Sequence, residues 1–267
     1  MAISEVRTRW LAFIVKIQER HRDVINEARV GCLQLLDIAQ LDTNPMANAW
    51  QGISSQLLAL YSKIEDTWSE RVEEAFREAY EAEGNDGNYF DELDVGRKAM
   101  DELEWNKQQA ETEIFAAAAD RLMEAAQQHL SKDFGCTQCG AQLEVDRNVF
   151  RSHYVKCGFC SVINTYEPGT RVRSVENFCA HHLAKRETLE LERTMHFAWE
   201  AVRAQRTAPL ALLQHLESAV HSYWSTFYGK RAEVVPDLEK DRDADLNARM
   251  QEFYNTMKHE KNWVARA

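Results

Sequence analysis

The sequence predicts a mainly α protein: a long-helix bundle or antiparallel coiled coil with one small β module inserted into it. Three observations carry that expectation. Helix breakers are scarce, with 10 Gly and 4 Pro in 267 residues, while Ala, Glu, Leu and Gln are abundant. Apolar residues recur at three- and four-residue steps along most of the chain. The pattern lapses near the middle, where Cys136-x-x-Cys139 and Cys157-x-x-Cys160 stand with 17 residues between them.

The elements follow in order. Ile3, Val6, Trp10, Phe13, Ile17, Val24, Ala28, Leu35 and Ile38 lie along one stripe of a long first helix. Asp42-Thr43-Asn44-Pro45 ends it and starts a second, with Thr43 or Asn44 as N-cap and Pro45 in the first turn. Trp50, Ile53, Leu57, Tyr61, Ile64, Trp68, Val72, Phe76 and Ala79 form the second stripe, broken at Gly84-Asn85-Asp86-Gly87-Asn88. That loop is acidic but is no EF-hand, because it lacks a glycine at loop position six and places Arg97 where the twelfth-position glutamate belongs. Leu93, Met100, Leu103, Ala110, Ile114, Leu122 and Ala125 carry a third helix to the cysteines. Val175, Phe178, His182, Leu189, His196 and Ala198 continue a helical face beyond them, which puts the cysteine module near the tip of an antiparallel hairpin. Ala208-Pro209 opens a further helix ending near Gly229, and a last one follows Pro236. The chain therefore divides into an N-terminal helical region 1–132, a module 133–170, and a C-terminal helical region 171–267 that packs with the first helices.

A two-residue gap lets both sulfurs of a pair reach one ion from a tight turn, and four thiolates close a tetrahedral shell. Gly140 follows the first pair and Gly158 sits inside the second. Val145, Val149, Tyr154 and Val155 suggest short strands between the knuckles, and Val162-Ile163-Asn164-Thr165-Tyr166 a last strand before a turn at Pro168-Gly169. So small a sheet has too little apolar surface to fold unaided, and a structural ion contributes about 10–16 kcal/mol in finger peptides. The residue types point to one structural Zn²⁺ held by Cys136, Cys139, Cys157 and Cys160. Four thiolates also suit an iron–sulfur cluster, and paired thiols suit redox exchange or disulfides. A catalytic zinc is excluded by the full shell, which leaves no position for water or substrate.

Through Cys136-Thr137-Gln138-Cys139-Gly140 and Cys157-Gly158-Phe159-Cys160, residues 133–170 resemble the zinc-ribbon superfamily. Asp133-Phe134-Gly135-Cys136-Thr137-Gln138-Cys139-Gly140 is also similar to the opening of the zinc module in the DksA/TraR family. Those RNA-polymerase regulators combine an antiparallel coiled coil with four cysteines, so the likeness implies a transcription-associated role. Here the module is central, with more than 90 residues after it.

The formal net charge is −11, and residues 61–113 hold 17 acidic against 6 basic side chains, which accounts for all of it. An acidic helical arm disfavours binding to phosphate backbones. Arg147, Arg151, Lys156, Arg171, Arg173, Lys185 and Arg186 make the module and its flank mildly basic, which keeps nucleic acid open there as a partner. Other candidates for chemistry read as structural. His181 and His182 point to different faces, with Cys179 beside them. His215 and His221 do not share a face, Glu217 and His221 form a surface pair, and Cys32 is core. The Trp residues read as core, and so does Tyr223-Trp224-Ser225-Thr226-Phe227-Tyr228, with a protein-binding patch as its alternative. No phosphate loop, nucleophile elbow or His-Glu-x-x-His helix occurs.

No apolar run approaches the ~20 residues that span a bilayer, and the short run after Arg9 lacks a cleavage site. The expectation is a cytoplasmic, non-enzymatic scaffold or adaptor with a structural zinc ribbon and a protein partner. The seams of its helices also allow a homo-oligomer. A regulator binding RNA polymerase or nucleic acid is the first alternative, and a zinc-thiolate redox sensor the second.

Overall fold

The computed structural model describes residues 2–84, 89–144, 150–169, 172–173, 175–205 and 207–259. The expected strand residues Val145 and Val149, the basic residues Arg147 and Arg171, the loop Asp86-Gly87-Asn88 and Trp263 lie outside the described residues. The chain is mainly helical with one small antiparallel sheet, as the sequence predicts, and forms two compact units, Met1–Ile114 and Phe115–Ala267.

In the first unit, α1 (Ile3–Ile38) is followed by α2 (Thr43–Thr67), a π-turn at Trp68–Val72 and α3 (Glu73–Ala82). A long helix α4 (Phe90–Asp133) then begins. The α1–α2 turn is tighter than the sequence suggests. Gln40 and Leu41 both take positive φ, 52° and 69°, and the Leu41 N–H donates to the Leu36 carbonyl at 2.9 Å. Asp42, rather than Thr43 or Asn44, is the N-cap of α2, because its carboxylate reaches the Asn44 N–H at 3.0 Å. Trp10 meets Trp68 at 5.6 Å between ring centroids, so α2 runs back along α1. Helix α4 runs parallel to α1. Trp10 Nε1 donates to the Glu92 carbonyl, Gln18 bonds to Glu102, and Arg29 pairs with Glu113, at a nearly constant sequence offset.

The core here is ordinary helix packing. Val6, Trp10, Ile14, Ile17, Ile64, Trp68, Phe76, Ala79, Ala99 and Leu103 are all buried in one cluster, and each large side chain contributes roughly 1.5–3 kcal/mol by leaving water. Gly96 is needed for close approach: a Cβ there would stand 2.8 Å from the Trp10 ring. The expected core residues Trp50, Trp105 and Cys32 are likewise buried.

In the second unit, strands β1 (His153–Lys156) and β2 (Ile163–Tyr166) pair antiparallel, with His153 opposite Tyr166 and Lys156 opposite Ile163. Helices α5 (Glu176–Glu187), α6 (Leu189–Arg203) and α7 (Leu210–Val234), a 3-10 turn at Pro236–Asp241 and α8 (Arg242–His259) follow. Leu213, Leu216 and Val220 of α7 pack with Val202 of α6 and with Met250, Phe253 and Met257 of α8.

Two expectations are corrected here. The face from Val175 to Ala198 is not one helix: buried Thr188 turns its hydroxyl back to the Ala184 carbonyl at 2.9 Å and separates α5 from α6. Helix α7 does not end near Gly229 but runs to Val234, and the Arg242 guanidinium lies 3.7 Å from where a Cβ on Gly229 would stand. Phe178, at the start of α5, packs on Phe115, roughly 27 Å back from the end of α4.

Candidate metal centre

The two cysteine knuckles are built alike from backbone bonds. The Gly140 N–H donates to the Cys136 carbonyl at 2.9 Å, and the Ser161 N–H to the Cys157 carbonyl at 3.0 Å. In return the Cys136 N–H bonds to the Ala141 carbonyl at 2.8 Å, and the Cys157 N–H to the Val162 carbonyl at 2.9 Å. Each turn closes through a residue in the left-handed region, Gly140 at φ 72° and Ser161 at φ 63°. Glycine takes that conformation without strain, whereas serine pays for its Cβ.

These turns bring the four sulfurs within 4.8 Å of one another. Cys136 and Cys160 Sγ are 3.4 Å apart, and Cys139 and Cys157 Sγ 3.6 Å. A tetrahedral ion with sulfurs at about 2.3 Å sets them ~3.8 Å apart, so the arrangement fits one metal ion. The backbone also prepares the ligands. N–H groups of Cys139 and Gln138 point at the Cys136 sulfur and lower its pKa to about 6, and those of Cys160 and Phe159 lower the pKa of Cys157. At Cys160 the Val162 N–H favours the thiolate, but burial and the three neighbouring sulfurs outweigh it and push the thiol up to about 12. Four thiols crowded this closely cannot all ionise without a cation among them, which is what a metal supplies.

Asn164 joins the two halves of the site. It is 3% exposed, and its Oδ1 accepts from both the N–H and the hydroxyl of Thr137 at 2.9 Å. Its Nδ2 donates to the Cys136 sulfur at 3.6 Å and to the Val162 carbonyl at 3.2 Å. A ligand held this way keeps its orientation, the usual task of groups behind a metal shell. By sequence alone Asn164 is only a strand residue. The available signal was the inversion of polarity in β2, which turns Asn164 inward and Ile163 outward.

The ribbon is anchored within its unit. Arg151 bonds to Glu176 at 2.8 Å and to Asp237 at 3.1 Å, and Arg173 donates to Ser152 at 2.9 Å. On its open side Tyr154, Phe159 and Ile163 are 78%, 86% and 66% exposed. Tyr154, Lys156, Ile163 and Thr165 are cross-strand neighbours on a single face.

His182 packs on Phe178 and Phe115, and burial, with His181 and Lys185 nearby, lowers its pKa to about 3. His181 faces Phe227 instead, and burial pushes the Cys179 thiol up to about 12. Glu217 accepts from the Tyr254 hydroxyl at 2.7 Å. Tyr223, Phe227 and Tyr228 are buried, so this aromatic run is core rather than a patch. Among the described residues, no helix is long and apolar enough to cross a membrane. No family model matches the chain, and neither a curated protein nor a solved structure matches it.

Proposed function

We propose that the protein is a non-enzymatic, cytoplasmic interaction scaffold or adaptor, in which one structural Zn²⁺ on Cys136, Cys139, Cys157 and Cys160 holds a rigid ribbon that docks another protein. The observation that carries this reading is the pairing of four convergent cysteine sulfurs with Tyr154, Phe159 and Ile163 turned to solvent beside them. A closed shell offers no reaction site, while large exposed apolar side chains on a rigid base are the anchors that protein interfaces use. The charge distribution supports a protein partner over a nucleic acid. Arg151 is paired with Glu176 and Asp237, Arg186 with Asp120, and Lys185 lies 3.6 Å from Glu192, so much of the basic flank is already neutralised.

The test is affinity capture from nuclease-treated lysate, comparing wild type with a Tyr154→Ser/Phe159→Ser double variant whose zinc content is checked. A protein retained by wild type and lost by the variant, at equal zinc content, supports docking on this face. Equal capture by both moves recognition to the helices. The likeness of Asp133–Gly140 to the DksA/TraR module favours a second reading, a transcription-associated regulator. RNA polymerase among the captured proteins would promote it.

A further inference from the structure

The four cysteines are equivalent as ligands but not in their access to solvent. Cys136 and Cys157 are buried and Cys160 half-buried, whereas Cys139 is exposed, as are its neighbours Thr137, Gln138 and Gly140. Cys136 is also covered from within, by the amide of buried Asn164 against its sulfur. When a metal is bound every ligand is a thiolate, so access rather than acidity ranks their reactivity. The second thiol of any reaction must lie within reach of the first. Cys157 Sγ stands 3.6 Å from Cys139 Sγ across the two knuckles, and closing to a disulfide needs about 2.05 Å.

We infer that Cys139 is the peroxide-reactive thiol of this protein and that Cys157, on the opposite knuckle, resolves it into a disulfide. The inference rests on the four-cysteine metal site proposed above. The Cys139 thiolate attacks one oxygen of a hydroperoxide, the O–O bond breaks, and hydroxide leaves, giving a sulfenic acid. The Cys157 thiolate then attacks the Cys139 sulfur, the S–O bond breaks, a second hydroxide leaves, and the S–S bond forms. Two electrons pass from the two sulfurs to the peroxide, and two protons from solvent turn the hydroxides into water. A disulfide across the knuckles removes one ligand from each pair, so neither knuckle keeps both of its sulfurs and the ion is released. The remaining pair, Cys136 and Cys160 at 3.4 Å, is set to form a second disulfide by the same chemistry.

The experiment uses the zinc-loaded full chain. Zinc content is measured first, and hydrogen peroxide is then added in sub-stoichiometric steps. Free thiols are blocked under acid quench, and linked peptides are mapped without reduction. The expected result is a Cys139–Cys157 link as the first disulfide, one per peroxide consumed, with zinc released in proportion. In a parallel run without peroxide, iodoacetamide should label Cys139 before the other ligands. A first link within one knuckle, Cys136–Cys139 or Cys157–Cys160, would overturn the inference. So would a first link between Cys136 and Cys160, or earlier modification of Cys32 or Cys179. If the purified chain binds no metal, the metal reading itself fails, and that outcome is distinct from a wrong pairing at a loaded site.

Discussion

In the unit Met1–Ile114, Trp10, Ile64, Phe76 and Leu103 come from four helical segments and bury one another. In the ribbon, the described residues give a small buried cluster of Cys136, Leu143 and Cys157, with Phe134, Val155 and Val162 partly covered beside them. The helical unit holds its shape mainly by removing apolar area from water, although Arg29 Nε and Thr112 Oγ1 are buried there without a hydrogen bond. The ribbon spends its inward positions on sulfurs and an asparagine and turns Tyr154, Phe159 and Ile163 outward. On the proposed function, that exchange makes the ribbon dependent on an ion and leaves large apolar side chains for a partner. The proposed function therefore predicts one part that keeps its fold without the ion and one part whose order is conditional on it.

The largest break in this comparison is Cys157→Ala. It removes a buried ligand, and zinc content should fall well below one per chain by elemental analysis. The ribbon then loses ion stabilisation on the order of 10 kcal/mol, while helical circular dichroism stays close to wild type. The converse is Trp10→Ala, which should cost roughly 3–5 kcal/mol in the helical unit. Denaturant unfolding followed by hydrogen exchange at α1 would register it, with zinc content unchanged. Next comes Asn164→Ala, expected to weaken zinc binding roughly 10- to 100-fold in chelator competition by freeing Thr137 and the Cys136 sulfur. Ser161→Gly removes a left-handed serine and should stabilise the zinc-bound ribbon by about 1 kcal/mol, measured as slower loss of zinc to a chelator.

A separate effect, confined to acid pH, is the response of His182. Its folded pKa is lowered to about 3, below the ordinary 6.5, chiefly by burial. The unfolded chain therefore takes up the proton first, and stability is full above pH 6.5 and falls as the pH drops from there towards 3. His182→Phe should flatten that part of the pH profile of α5 exchange, measured at equal zinc occupancy.

The helices and the sulfur ligands were legible because they depend on local repetition, the three-to-four-residue apolar step and the two-residue cysteine gap. Trp10, Trp68 and Phe76 sit on the stripes that the step defines, and the four cysteines converge as their spacing implies. What was not legible depended on tertiary context. The break at Thr188 needs its hydroxyl turned onto carbonyls in a buried site, and the helix through Gly229 continues to Val234 with Arg242 packed beside it. The role of Asn164 appears only when β2 is folded back onto the first knuckle, which no local pattern announces. The position of Asp42 as cap was within reach of the sequence, but the two left-handed residues before it shift the start of α2 by one position.

The most direct test of the central claim is amide hydrogen exchange on the full chain before and after zinc removal by a strong chelator. Protection should vanish at Cys136, Leu143, Cys157 and Ser161, whose N–H groups close the knuckles and the ribbon. Amides of α1, at Ile14 and Ile17, should keep theirs. Ribbon amides that stay protected without the metal would contradict the account, because the ribbon would then be folded by its own packing and the four sulfurs would not be what holds it.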